Sequence, residues 1–346
     1  MNNRRLRLAS HAAPLALLLA ALSSPGRADD YSSSFNLQIE NDWFAKAAGI
    51  DADQDYTTGI RLSYLTDALA MPEWVRNLDV PDFIGSDGDN RIRRLGFSIN
   101  QNLYTPANTQ TKDPIPDDRP YAGWLSVGVA LQTIHRQGDE PIRMDSVEIS
   151  LGVVGPWALG EQLQNNFHDF IGDDESLGWD NQLKNEPALQ LTFERRWRTG
   201  AWEVLTPLGL ETDFVPYIGA GLGNVMTYGS VGGIVRLGED LRKDFGPPRV
   251  RPALAGSEAF NSSGVSWYLF AGLEGQAVAH NIFLDGNTFR DGPSVTRNPL
   301  VAEGQAGLAI FVGDVRIAYT HVLKTPEFEE RDRWQQYGSL SFGFSF

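Results

Sequence analysis

The chain has 346 residues, a formal net charge of −15 and no cysteine. The acidic excess argues against a nucleic-acid partner, which a basic face would recruit, and against a basic helix lying on a membrane surface. Without cysteine there is neither a disulfide scaffold nor a cysteine-linked lipid anchor, so an exported chain would depend on a large core or a closed sheet.

Export is what the first residues imply. Arg4, Arg5 and Arg7 precede the apolar stretch Ala12–Leu22, and Gly26-Arg27-Ala28 offers small residues for cleavage. Residues 1–28 read as a secretory signal peptide, with the mature chain beginning near Asp29. No later run of about 18 apolar residues could cross a bilayer as a helix.

Period-two segments then recur to the end of the chain. In order they are Phe35–Ile39, Ile60–Tyr64, Leu95–Leu103, Leu125–Leu131, Val147–Val153 and Leu189–Phe193. Tyr217–Leu222, Trp267–Leu273, Gly307–Val312, Val315–Tyr319 and Leu340–Phe346 follow. Such alternation predicts strands with one apolar face and one polar or small face. Strand lengths of roughly 9–13 residues suit a tilted crossing of a bilayer. The 35 glycines suit a strongly curved sheet. Aromatics near strand ends (Trp43, Phe44, Tyr104, Tyr121, Trp124, Trp197, Tyr319, Tyr337) match an interfacial girdle, and the chain ends on Phe346. The expected fold is all-β: one transmembrane antiparallel β-barrel of about 12 strands over residues 29–346, with short helices in its loops. Its place would be the bacterial outer membrane, among outer-membrane lipids, after insertion by the barrel-assembly machinery.

With the amino terminus inside, the loops after strands one, three and five share the outer rim. They span about 41–55, 105–120 and 155–187, while the inner turn Gln137–Glu140 is short. Residues 68–90, with Pro72, Trp74 and Pro81, are long for an inner connection and predict a short helix.

The unusual polar residues collect in those outer loops. Glu40, Asn41 and Asp42 close the first strand, and Asp55-Tyr56-Thr57-Thr58-Gly59 opens the second. Lys112 and Arg119 lie in the next loop. In the third, Trp157–Phe170 predicts an amphipathic helix with Leu159, Leu163, Phe167 and Phe170 on one side. Gln164 and His168 are four residues apart and share a helix face. A lone histidine is more often structural, but His168 stands among amides and carboxylates as a base would. His135, His280 and His321 fall at strand ends without that company. Thr57 also suits a plain strand start, and Arg119 equally suits Asp117 or Asp118 as a structural partner. There is no Gly-x-Ser-x-Gly elbow, phosphate loop or His-Glu-x-x-His. Clustered Asp and Asn oxygens favour a hard cation such as calcium, assembled from several loops.

The ordered set Glu40–Asp42, Asp55–Gly59, Tyr104–Pro106, Asp118–Gly123, Gly152–Pro156, Gln164–His168 and Trp179–Leu183 resembles the lipid A 3′-O-deacylase family, LpxR. The resemblance implies a 12-stranded outer-membrane barrel and calcium-dependent hydrolysis of the 3′-linked acyloxyacyl ester of lipid A. It puts the catalytic histidine on His168, the Asn-Asp pair on Asn41 and Asp42, and the active-site threonine on Thr57. The family's loop-two lysine falls beside Thr111, at Lys112. A Ca2+ ion would then draw on Asp42, Thr57 and Glu40, and the lipid A or lipopolysaccharide substrate on Lys112, Arg119 and Gln164. Two other readings stay open: a calcium-dependent outer-membrane phospholipase, and a non-enzymatic porin or adhesin barrel.

Overall fold

The computed structural model describes residues 32–42, 44, 56–68, 72–73, 91–138, 140–172, 174–200, 202–205, 209–247 and 264–346. The leader and nearly all of 68–90 lie outside the described residues. The amino-terminal strands are β1 (Ser34–Asn41), β2 (Tyr56–Leu65), β3 (Arg91–Tyr104), β4 (Ala122–Gln137), β5 (Glu140–Val154) and β6 (Glu186–Trp197). Then come β7 (Trp202–Leu205), β8 (Leu210–Gly223), β9 (Met226–Gly238) and β10 (Val265–Asn281). The last are β11 (Leu300–Val312), β12 (Val315–Lys324) and β13 (Gln335–Ser345). Every neighbouring pair is antiparallel, and β1 pairs with both β2 and β13, which closes the sheet on itself. β6 pairs with the outer part of β8 and β7 with its inner end, so the two are pieces of one stave. The result is the expected closed 12-strand barrel with few helices. The turn between β4 and β5 is as short as expected.

The wall alternates inside out relative to a water-soluble sheet. Asn36, Gln38, Arg61, Asn100, Ser126, Glu148 and Gln190 are buried, whereas Leu62, Ile99, Val127, Leu151 and Leu189 are each about half exposed. Exposed apolar rows of this kind need hydrocarbon outside them. Inside, charge is paired because an unpaired buried ion is prohibitive. Arg61 donates to Asn100 Oδ1 at 2.8 Å and to Glu148 Oε2 at 2.6 Å, and Ser98 donates to Glu148 Oε1 at 2.8 Å.

The inner mouth is filled by the chain that follows β9. Asp244, fully buried, accepts from Arg236 and Arg316 and from the Tyr268 hydroxyl at 2.7 Å. Next to it, Phe245 packs on Ile134 and Met144 of β4 and β5 across the lumen. Residues 239–247 therefore form a plug.

β9 escapes the alternation pattern for a physical reason. Gly232 and Gly233 blank two of its positions, and the Tyr217 and Phe214 rings fill the space their Cβ atoms would take.

Candidate active site

The outer ends of β1 to β4 carry one row of register partners: Asn41 opposite Thr58, Thr58 opposite Leu103, and Leu103 opposite Gly123. Neighbouring strands lie about 4.8 Å apart. Strand parity turns this row outward, because Phe35, Leu37 and Ile39 share the face of Asn41, and Ile99 and Gln101 share that of Leu103. The row is nevertheless buried, Asn41 at 5% and Leu103 at 0% exposure. Phe44 of the first outer loop lies over Gly338, the other register partner of Asn41, and the third outer loop lies over the Leu103 and Gly123 end of the row.

That loop starts with a 3-10 turn, Pro156–Ala158, and continues as helix α1, Gly160–Ile171. Between them Leu159 adopts a left-handed φ of 58°, which breaks the continuous helix that the apolar spacing predicts. Two glycines allow the helix to lie on the wall. A Cβ at Gly160 would fall 2.7 Å from the Trp179 ring, and one at Gly123 would fall 3.1 Å from Ala158. Gln101 donates to the Ala158 carbonyl at 2.5 Å. α1 thus starts on the outside of the barrel, over Leu103 and Gly123, and carries His168 in its third turn. The face it buries holds Leu163 and Gln164, while Trp157, Leu159 and Phe167 remain exposed toward the lipid side.

His168 is half-buried, and its Nδ1 lies 2.5 Å from the Asp174 carbonyl oxygen. A carbonyl accepts, so Nδ1 carries the proton and Nε2 keeps its lone pair in the neutral ring. Asn41 Nδ2 donates to Thr58 Oγ1 at 2.8 Å. Asp42 begins a helical turn directly past β1 and is half-buried.

Other expected site residues fall elsewhere. Glu40, next to Asn41, has the opposite parity and faces the lumen with Asn36 and Gln38; it is felt electrostatically by Tyr104. It therefore does not share the side of Asn41, as a common metal set would require. Thr57 is the extra residue of a bulge between β2 and β3, and its side chain lies outside the described residues. Thr58 is the hydroxyl that meets Asn41. Gln164 is 3% exposed and accepts from the Trp179 indole N–H at 2.8 Å, which makes it a staple between α1 and the following chain. Lys112 is exposed, and its carbonyl accepts from Asn181 Nδ2 at 2.8 Å, tying the second loop to the third.

Arg119 is 1% exposed; its backbone N–H donates to Asp118 Oδ1 at 2.8 Å, but its side chain forms its ion pair elsewhere. Its guanidinium donates to Glu327 Oε2 at 2.6 Å and stacks 5.5 Å from the Tyr104 ring centroid. Glu327 also accepts from Lys324. Burial alone would raise this carboxyl, but Lys324 and Arg119 outweigh it and hold Glu327 at about 2. This network joins the second outer loop to the sixth.

His280 has more company than its strand-end position suggests. Nδ1 lies 3.1 Å from Asp285 Oδ2, and Thr288 Oγ1 is 3.4 Å from Nε2. Yet Nε2 points at the Asn224 carbonyl at 3.0 Å, so both nitrogens face acceptors and neither is left bare. His135 similarly lies against Asp145 and Arg143. Among the described residues, no three His, Asp or Glu side chains gather as a metal cluster.

A closed barrel with lipid-facing apolar rows and an outer loop laid against the outside of its wall defines an outer-membrane β-barrel protein. The model of the family described as outer membrane protein LpxR matches residues 14–346, and the chain belongs to that family, of the lipid A deacylase type. The fold is similar to that of LpxR from Salmonella typhimurium, with a TM-score of 0.72 at 23% identity over 90% of this chain and 100% of that one. The β-domain of the Bordetella autotransporter BrkA also aligns, over 92% of this chain and 100% of that one, at 9% identity and a TM-score of 0.45. Comparison with curated proteins finds no match.

Proposed function

We propose that the protein hydrolyses the 3′-linked acyloxyacyl ester of lipid A in the outer leaflet, with His168 as general base. The observation that carries this reading is the side of the wall on which Asn41 and Thr58 lie. Asn41, Thr58 and helix α1 are on the lipid side, where an acyl ester resides, and not in the plugged lumen.

The chemistry follows from the ring geometry. Nε2 of His168 takes a proton from water as the water oxygen bonds to the ester carbonyl carbon. The tetrahedral species then collapses, and the departing sugar oxygen takes that proton back, leaving a fatty acid and a free hydroxyl. Such a base contributes about 10²–10⁴-fold. Asn41 orients the carbonyl or the water through its amide, itself steadied by Thr58. Lys112, exposed on the adjoining loop, meets a phosphate of the substrate.

Asp42 and Asn41 offer hard oxygens of the kind calcium takes, and water and substrate would complete its six to eight ligands. When bound there, the cation supplies polarisation of the ester carbonyl. Glu40 is left out of this set by its luminal orientation. In this reading the leader is cleaved near Asp29 and the barrel-assembly machinery inserts the mature chain.

The test is purified protein in detergent, offered lipid A or phospholipid with calcium or chelator. Loss of one 3′ acyloxyacyl group by mass spectrometry, abolished in His168→Ala and by chelator, is the expected result. Fatty acid released from phospholipid alone, or no product at all, overturns the proposal.

A further inference from the structure

We infer that Asn165 is a positioning residue: by gripping Ser176 it presents the Asp174 carbonyl to His168 Nδ1, and so decides which ring nitrogen stays bare. The inference deepens the reading of His168 as the base and rests on it. Asn165 lies one helical turn before His168 in α1. Ser176 N–H donates to Asn165 Oδ1 at 3.0 Å, and Asn165 Nδ2 reaches the Ser176 carbonyl at 3.5 Å. One planar amide thus engages both polar groups of a single backbone residue, as only Asn or Gln can.

Ser176 is 3% exposed, and the same stretch is held from its other side. Leu177 N–H donates to the Thr109 carbonyl at 2.9 Å, and Gln110 Nε2 donates to the Glu175 carbonyl at 3.2 Å. Residues 174–177 are therefore clamped between α1 and the second outer loop. The clamp sets the Asp174 oxygen 2.5 Å from His168 Nδ1. Asn165 acts through the peptide it holds.

The clamp matters because a neutral imidazole carries its one proton on either nitrogen. A fixed acceptor at Nδ1 selects the tautomer whose Nε2 can accept from water. Without it, part of the population carries the proton on Nε2 and has no base to offer. Helix propensity gives no reason for an asparagine here, since Asn is an indifferent helix former. A tertiary role supplies the reason.

The experiment uses the full-length protein labelled with ¹⁵N-histidine in detergent micelles, with the His168 signals identified by their loss in His168→Gln. In the native protein His168 shows the Nδ1–H tautomer. In Asn165→Ala the Nε2–H form gains population, kcat on lipid A falls by about tenfold, a fraction of what a base contributes, and KM stays within about twofold. Asn165→Asp keeps an acceptor for Ser176 N–H and restores the Nδ1–H tautomer. An Asn165→Ala protein that keeps the barrel's thermal transition and the native tautomer overturns the inference, as does an Asn165→Asp protein with the same tautomer mixture as Asn165→Ala. The tautomer is read without substrate. A shifted tautomer in a protein whose native form leaves lipid A intact therefore supports the positioning role and rejects the lipid A reading.

Discussion

Asn41 and Glu40 are consecutive in β1 and look out of opposite sides of the barrel wall: Asn41 donates to Thr58 on the lipid side, and Glu40 is turned into the lumen. The difference is testable by comparing two carboxylates that flank Asn41. Asp42→Asn lowers lipid A deacylation by at least about tenfold and raises the calcium concentration required, since it removes a hard anionic donor. Glu40→Gln has the smaller effect on rate and leaves the calcium requirement where it was. Titration of activity against free calcium for the two variants decides the matter.

Thr58→Val removes the hydroxyl that receives the buried Asn41 amide. Loss of one partner from a buried polar group costs about 1–3 kcal/mol, so the thermal transition in detergent should fall. Activity falls with it, whereas Thr58→Ser keeps both. A Thr58→Val enzyme with native rate and stability would rule out Asn41 being steadied in this way.

The Arg119–Glu327 pair makes a pH prediction. Glu327 is depressed from the ordinary carboxylate range to about 2, so it binds protons more readily in the unfolded chain. Its contribution to stability is fully present above the unfolded value of about 4.3 and is lost as pH falls through about 2. Melting temperature measured across that window should drop in the native protein and drop less in Glu327→Gln. Arg119→Ala, which leaves a buried carboxylate without its guanidinium, should be destabilised by about 3–5 kcal/mol at neutral pH.

Asp244 fastens the plug at the inner mouth through Arg236, Arg316 and Tyr268. Asp244→Ala leaves two buried guanidinium groups short of a carboxylate, a change of several kcal/mol. The plug should loosen and ion conductance should appear in planar bilayers where the native barrel is silent. Deacylation should fall less than conductance rises, because Asn41 and Thr58 are on the other side of the wall and at the other end of the strands.

The barrel is legible in the sequence because period two survives wherever side chains alternate between lipid and lumen. It fails at β9, where Gly232 leaves a luminal position to the Tyr217 ring and Gly233 an outward one to the Phe214 ring. The placement of Asn41 and of the loop bearing His168 on the outer rim follows from counting strands. The opposite facing of Glu40 and Asn41 was also there to be read, since adjacent strand residues never share a face. The register that sets Thr58, and not Thr57, opposite Asn41 was not, because a register is defined by the partner strand. Nor was the Arg119–Glu327 pair, whose members are 208 residues apart. The helix beginning at Gly160 and not Trp157 depends on a left-handed Leu159 that apolar spacing does not reveal.

The order of the chain has a consequence for how the protein is made. Every residue assigned to the proposed chemistry precedes β6, whereas the closing partner of β1 is β13, which is made after all of them. A nascent or transiting chain thus holds the whole reactive set without a sealed wall to aim it. The outward row finds lipid only once the two ends of the sheet have met within the bilayer. Hydrolysis by the proposed site would therefore wait until the sheet has closed.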